Sequence, residues 1–233
     1  MKKNMDKGIN NNGFEYVDLG LPNGTLWATM NVGASNPSDV GLFFQWGDTK
    51  GYTKDQVGKD KQFTWEDYKF RVNRSSSNTN EQIGKGIQFN LSDSKSIITE
   101  GASKFNKYRE RGATLEMEDD AAHINMGGDW HMPTNEQIIE LLDNATSTWT
   151  TQDGVKGRLF TSKKDETKTI FIPASGYAWD GSIYNSGKIC YAWSSMLSSK
   201  YVNYGMNLGF FTSRVYERYY YRSLGFPIRG VIG

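Results

Sequence analysis

The last quarter of the chain, Tyr177 to Gly233, sets the tightest limits on the fold. It holds nine of the 13 tyrosines: Tyr177, Tyr184, Tyr191, Tyr201, Tyr204, Tyr216, Tyr219, Tyr220 and Tyr221. Glycines and small polar residues such as Ser182, Ser186, Ser198, Ser199, Asn207, Ser213 and Ser223 separate them. Aromatic side chains favour strands, so one reading is an antiparallel β-region with tyrosines on its wet face. The other is a contact surface. Tyrosine offers a large amphipathic area with only two torsions to freeze, and Ser, Gly and Asn add adaptable hydrogen bonding. Composition alone leaves both readings open.

The rest of the chain narrows the class. At 233 residues it can bury a real core as one large domain or two small ones. Charged residues make up 23% and the net charge is +1, which excludes a disordered chain and a bulk-charge binder of nucleic acid or anionic membrane. From Tyr177 onward, however, six Lys/Arg stand against Asp180 and Glu217, a net of +4, leaving −3 for the remainder. The single cysteine, Cys190, excludes an internal disulfide framework and any multi-cysteine metal site. The start, Met-Lys-Lys-Asn-Met-Asp-Lys, is basic but lacks the apolar run of a secretion signal, so the expectation is a chain outside the general export route. No apolar run approaches the length of a membrane span.

Residues 1–13 read as a flexible polar tail, and 14–233 as a single α+β domain. Strand-like pieces at Phe14–Leu19 and Thr25–Thr29 flank Pro22-Asn23-Gly24, where Asn23 and Gly24 are expected to supply the positive φ of a tight hairpin. Leu42–Trp46 is an apolar patch closed by Gly47-Asp48. Residues 51–112 read as a long polar insertion packed on the core through Phe63, Trp65, Tyr68 and Phe70; it contains the low-complexity run Ser75–Asn80. Two helices follow. Glu116–Met126 places Met117, Ala121 and Ile124 on one face, with Glu118, Asp119 and Asp120 as helix-start acids and Gly127-Gly128 as the stop. The second begins at Thr134, with Gln137 completing a capping box and Ile138, Leu141, Leu142 and Ala145 as the buried stripe. Strands are expected at Thr148–Thr151, Val155–Ser162 after an Asp153-Gly154 turn, Thr169–Ile172, Tyr191–Met196, Met206–Phe211 and Phe226–Ile232.

Few residues converge on chemistry. His123, Asp129 and His131 are neighbours in sequence, but a glycine pair separates the histidines and no third histidine or cysteine completes a zinc site. Asp119 and Asp120 point about 100° apart on a helix, so they do not form an acid/base pair. Cys190 has no nearby base, no serine sits in a Gly-x-Ser-x-Gly elbow, and Gly84-Lys85-Gly86 lacks phosphate-loop spacing. The expectation is a non-enzymatic chain without metal or cofactor.

Four stretches together carry a resemblance. They are Tyr16–Thr29 (YVDLGLPNGTLWAT), Gly127–Thr134 (GGDWHMPT), Trp193-Ser194-Ser195, and Gly225–Val231 (GFPIRGV). In this order they resemble the C-type-lectin-fold domains of gut anaerobes and their phages, over nearly the whole chain from Phe14. Within that family, a chain with its Phe-Pro-Ile-Arg strand this close to Gly233 is similar to the variable proteins of diversity-generating retroelements. The resemblance implies two helices with short antiparallel sheets, and a C-terminal segment whose scattered substitutions ride on a fixed backbone. It also implies one solvent-facing surface that grips a host-surface protein or glycan receptor. The calcium tripeptides of sugar-binding relatives (Glu-Pro-Asn or Gln-Pro-Asp with Trp-Asn-Asp) and the cysteine pair of formylglycine-forming relatives are both missing.

On this reading Trp193, Phe226, Ile228 and Arg229 belong to the floor of the 177–233 display segment. The expected contact residues fall in three groups: Tyr177, Trp179, Asp180, Tyr184, Asn185 and Lys188; then Tyr201, Asn203 and Tyr204; then Arg214, Tyr216, Arg218, Tyr219 and Tyr221. The expected place of action is a phage tail or a cell surface, as a homo-oligomer or attached to a larger assembly. The competing expectation is a structural or adhesive surface subunit with no variable site. A reverse-transcriptase gene beside a near-copy of the 3′ end would separate the two.

Overall fold

In the computed structural model, residues 7–9, 12–72 and 104–233 are described. The run Ser75–Asn80 lies outside them. Among the described residues the chain is mixed α+β, built from small antiparallel sheets and two α-helices. Strands β1 (Lys7–Ile9), β2 (Glu15–Asp18), β3 (Leu26–Asn31) and β12 (Arg229–Ile232) form one sheet in the order β1-β2-β3-β12. Strands β4 (Ala145–Gln152), β5 (Val155–Ser162) and β6 (Thr169–Pro173) form a meander, and β7 (Tyr177–Trp179) pairs with β8 (Ser182–Tyr184). The third large sheet runs β11-β10-β9, with β9 at Cys190–Leu197, β10 at Tyr204–Phe210 and β11 at Val215–Tyr221.

Turn chemistry explains several of these pairings. Asp153 (φ 49°) and Gly154 (φ 81°) join β4 to β5 with two consecutive positive-φ residues, the twist a two-residue hairpin needs. Asp180 (φ 45°) and Gly181 (φ 70°) do the same between β7 and β8. The Asn23-Gly24 expectation needs correction. Only Gly24 has positive φ, and its N–H bonds the Leu21 carbonyl at 3.0 Å, so β2 and β3 are joined by a longer connection. The buried Glu140 carboxylate holds that connection by accepting from Asn23 N–H and from the Thr25 hydroxyl. Lys7–Ile9, expected in a flexible tail, instead pairs with β2 in the register Lys7↔Val17.

The second helix, α2 (Asn135–Asn144), starts as expected. Thr134 accepts from Gln137 N–H and the Gln137 side chain accepts in return from Thr134 N–H. Ile138 and Leu141 are fully buried, whereas Leu142 is only partly so and Ala145 already opens β4. The first helix differs more. A 3-10 turn at Met117–Asp119 breaks before α1 (Ala121–Met126), because Asp120 takes extended backbone and caps α1 through His123 N–H. The buried side is therefore Ala121, Ala122 and Met126; of the expected face only Ala121 is buried, while Met117 is 64% and Ile124 53% exposed.

Asp119 is likewise no helix-start acid. Its buried carboxylate accepts from Lys69 (2.5 Å), Lys107 (2.6 Å) and the Tyr108 hydroxyl (2.8 Å), tying both described arms of the 51–112 segment to the core. Burial raises its pKa, but these three donors together outweigh burial and hold it below the ordinary carboxylate value. Stability from this group is thus complete above the unfolded value, about pH 3.9, and is lost as pH falls through the lower native value. Urea unfolding of the wild type and of Asp119→Asn should show a stability gap at pH 6 that narrows below about pH 4. A gap that does not change with pH would show that the carboxylate charge is irrelevant.

The same segment anchors through Phe63, Tyr68, Phe70 and Phe105, all buried. Arg222 lies with its guanidinium carbon 3.3 Å from the Phe105 ring centre and donates to the Tyr108 carbonyl. Burial lowers its pKa to about 10.

Candidate functional site

The sheet β9-β10-β11 organises the C-terminal residues, and its register decides which of them meet. Alternate residues of a strand face opposite sides. Val215, Glu217, Tyr219 and Tyr221 of β11 share one face with Phe210, Leu208, Met206 and Tyr204 of β10; Leu208 and Phe210 pack into the core that α2 covers. Tyr216, Arg218 and Tyr220 share the other face with Gly209, Asn207 and Gly205, and with Tyr191 and Trp193 of β9. The expected contact residues therefore divide between two clusters on opposite sides of β11.

On the Tyr216 side the rings form a continuous row. Trp179 lies 5.7 Å from Tyr184, which stacks on Tyr177 at 5.6 Å; Tyr177 lies 6.1 Å from Tyr191, and Tyr191 lies 4.6 Å from Tyr220. The Tyr191 and Tyr220 hydroxyls bond each other at 3.1 Å. Arg218 continues the row. Its guanidinium carbon lies 4.9 Å from the centre of the Tyr216 ring and 5.9 Å from that of Tyr220, and Arg214 lies 5.9 Å from the centre of Tyr216. Gly209 makes this possible: a Cβ there would come 2.9 Å from Tyr216 and 3.1 Å from Tyr191, closer than rings tolerate. Burial pushes up the phenol pKa values of Tyr177, Tyr191 and Tyr216, with the Tyr220 hydroxyl bond adding to the rise at Tyr191. These phenols stay neutral well above pH 7.

Trp193, Phe226, Ile228 and Arg229 are all buried, and Phe226 packs against Tyr177, Tyr191 and Tyr220 of the row. Trp193 stacks on Phe226 at 4.1 Å and donates its indole N–H to the Phe44 carbonyl at 2.8 Å.

The second cluster comprises Tyr201, Tyr204, Tyr219 and Tyr221. Tyr204 stacks on Tyr221 at 4.5 Å, and Tyr201 lies 5.6 Å from Tyr219. Trp65 of the 51–112 segment reaches Tyr221 at 5.8 Å. Asn203 lies half-buried beside it in the β9–β10 connection, and its carbonyl accepts Arg222 N–H. Asp180, Asn185 and Lys188 are exposed around β7 and β8. Asp180 and Asn185 (φ 57°) also hold positive φ, which Asn and Asp accept more readily than other non-glycine residues, so both carry a backbone role besides any contact.

Sequence reasoning left out Tyr191, Tyr220 and Trp65, which belong to these clusters. The spacing Tyr216-x-Arg218-x-Tyr220 was the available signal for one face, had β11 been recognised as a strand.

No family model, no curated protein and no solved structure matches this chain. No helix among the described residues is long and apolar enough to cross a membrane.

The other candidates for chemistry sit in structural settings. His123 Nδ1 contacts the Trp130 carbonyl at 3.2 Å, and His131 contacts the carbonyls of Met132 and Gly233. Asp120 accepts from the backbone N–H groups of His123 and Met132. Cys190 is fully buried, and burial pushes its thiol up to about 11. It should resist a soluble disulfide reagent in the native state and react fully in denaturant. Rapid labelling of the folded protein would contradict its placement.

Proposed function

We propose that this chain is a C-type-lectin-like, non-enzymatic display protein that binds a receptor through the 177–233 segment, on a phage tail or a cell surface. The observation that carries this reading is the set of exposed and half-buried side chains Tyr177, Trp179, Tyr184, Tyr216, Arg218 and Tyr220 resting on a buried layer that includes Tyr191, Trp193 and Phe226. Exposed or half-buried Trp, Tyr and Arg side chains are the groups in which binding energy concentrates. Trp193, Phe226 and Ile228 lie in the buried cluster on which Tyr177, Trp179 and Tyr220 rest. The four sequence stretches support the lectin-like architecture, and the mixed α+β arrangement of small antiparallel sheets accords with it. Substitution of the outer residues would then change what is bound while leaving the backbone alone, as the retroelement resemblance implies.

Tyr184, Asn185, Arg214 and Arg218 are all exposed. Replacing Tyr184, Arg214 and Arg218 with serine and Asn185 with glycine, which keeps its positive φ, should shift stability by no more than about 2 kcal/mol, since exposed substitutions are individually small. The same variant should abolish adsorption of the labelled chain to a panel of gut-anaerobe cells to which the wild type adsorbs. A second variant, Tyr201→Ser with Tyr219→Ser, tests the opposite cluster. Collapse of the fold in the first variant would make the row core. Adsorption surviving both variants would place binding elsewhere and favour the structural-subunit reading.

A further inference from the structure

The row has a chemical polarity. At its Tyr216 end two exposed guanidinium groups, Arg214 and Arg218, approach the same ring at 5.9 and 4.9 Å. Neither forms an ion pair with a described residue. Arg218 has a single weak hydrogen bond, Nη1 to the Tyr220 hydroxyl at 3.3 Å, which leaves most of its donor fork unused. A third guanidinium supports the turn between β10 and β11. Arg158 of β5 donates Nε to the Phe211 carbonyl (3.0 Å) and Nη2 to the Thr212 carbonyl (3.1 Å). Its remaining bonds go to Ser147, so it too lacks a carboxylate partner. The acids of the segment do not offset this charge. Glu217 lies on the opposite face of β11, and Asp180 lies at the other end of the row, in the turn after Trp179.

We propose that the Tyr216 end of the row is a carboxylate-receiving subsite, and that its occupant is an aspartate or glutamate side chain on a protein partner. The inference rests on the reading of this face as the binding surface and specifies its chemistry. The Tyr216 and Tyr220 rings and the Tyr220 hydroxyl bond restrict the Arg218 guanidinium before any ligand arrives, so less side-chain freedom is lost on binding. A carboxylate is the anion that a planar fork receives with two parallel N–H···O bonds, and such charge-assisted bonds exceed neutral ones in strength.

The rest of the row decides between a protein and a polyanion. Nucleic acid or a uniformly acidic polymer would call for cations spread along the track. Here both guanidinium groups sit at one end, Tyr177, Trp179 and Tyr184 continue as neutral amphipathic rings, and the exposed Lys188 and Asp180 around β7 and β8 offset each other in charge. One acidic side chain beside an apolar patch fits that distribution, and such a patch is what a folded protein surface presents.

Phage-displayed random-peptide libraries panned against the intact chain provide the probe. Captured peptides should be enriched in Asp or Glu beside apolar residues. Their capture should fall at least about tenfold on the Arg214→Gln/Arg218→Gln variant, the loss expected for a charged anchor. Lys156→Gln, on the exposed side of β5, should leave capture unchanged. Thermal melting checks that the double variant is folded. Wild-type capture measured between about 50 and 500 mM salt gives a test that needs no variant, because an exposed carboxylate contact weakens as salt screens it.

Capture that is lost on Tyr177→Ser/Tyr184→Ser but shows no acidic preference and no salt dependence would overturn the carboxylate subsite and leave the binding surface standing. Capture insensitive to the tyrosine and the arginine variants alike would remove both. If uronic- or sialic-acid glycans on an array are retained through Arg214 and Arg218 while no acidic peptide is enriched, the protein partner is wrong.

Discussion

Arg229→Met should destabilise the fold by about 3–5 kcal/mol, because each buried acceptor stripped of its donor costs roughly 1–3 kcal/mol. The guanidinium is fully buried and serves three acceptors on two strands: Asn31 Oδ1 at 2.9 Å and the Ala28 carbonyl at 3.0 Å on β3, and the Phe171 carbonyl at 2.9 Å on β6. It thereby joins β12 to β3 and β6. Methionine keeps the length of the stem, so the loss reports hydrogen bonding more than a cavity. Burial without a carboxylate partner has already lowered the Arg229 pKa to about 9, and removing the charge also removes that desolvation cost. The range therefore lies below the sum for three stranded acceptors. Urea unfolding measures it; a loss under about 1 kcal/mol would mean that relaxation or water satisfies those groups.

Leu141→Ala comes second, at about 2–5 kcal/mol, the range for a fully buried leucine. Leu141 packs in the core formed by Ile138, Phe160, Leu208 and Phe210, whereas Leu142 only lines its margin. Leu142→Ala should cost less, below about 2 kcal/mol, since a half-exposed side chain removes less apolar area from water. Thermal melts of the two variants settle the order. A larger loss at Leu142 would require α2 to be turned about its axis.

The start of α2 was readable because Thr134 and Gln137 form a cap through local bonds, which four residues of sequence contain in full. The Asp153-Gly154 hairpin was readable for the same reason, as its twist depends on two adjacent dihedrals. The first helix was not. Helical periodicity ran through Asp120, but that carboxylate caps α1 and also accepts from Met132 N–H, a long-range bond invisible to a local window. Asp119 was misread likewise, since its partners Lys69 and Lys107 lie far away in sequence.

Trp193, Phe226, Ile228 and Arg229, expected in the floor from the strand motifs, are all buried. The expected contact residues were legible as a composition but not as an arrangement. Val215–Tyr221 shows no apolar alternation that separates its two faces, so only the pairing with β10 reveals that Tyr216 and Arg218 sit opposite Tyr219 and Tyr221.

The sheet that unites β2, β3 and β12 has a kinetic consequence. Asn31 and the Arg229 side chain that holds it are 198 residues apart along the chain. Antiparallel pairing across that separation gains nothing until a very large loop has closed, and folds dominated by such distant partners cross their barrier slowly, on the order of milliseconds to seconds. The tyrosine-bearing strands lie inside that loop. They should be transiently exposed together before β12 docks, and a stopped-flow refolding trace should show a slow phase that Arg229→Met alters and Tyr184→Ser does not.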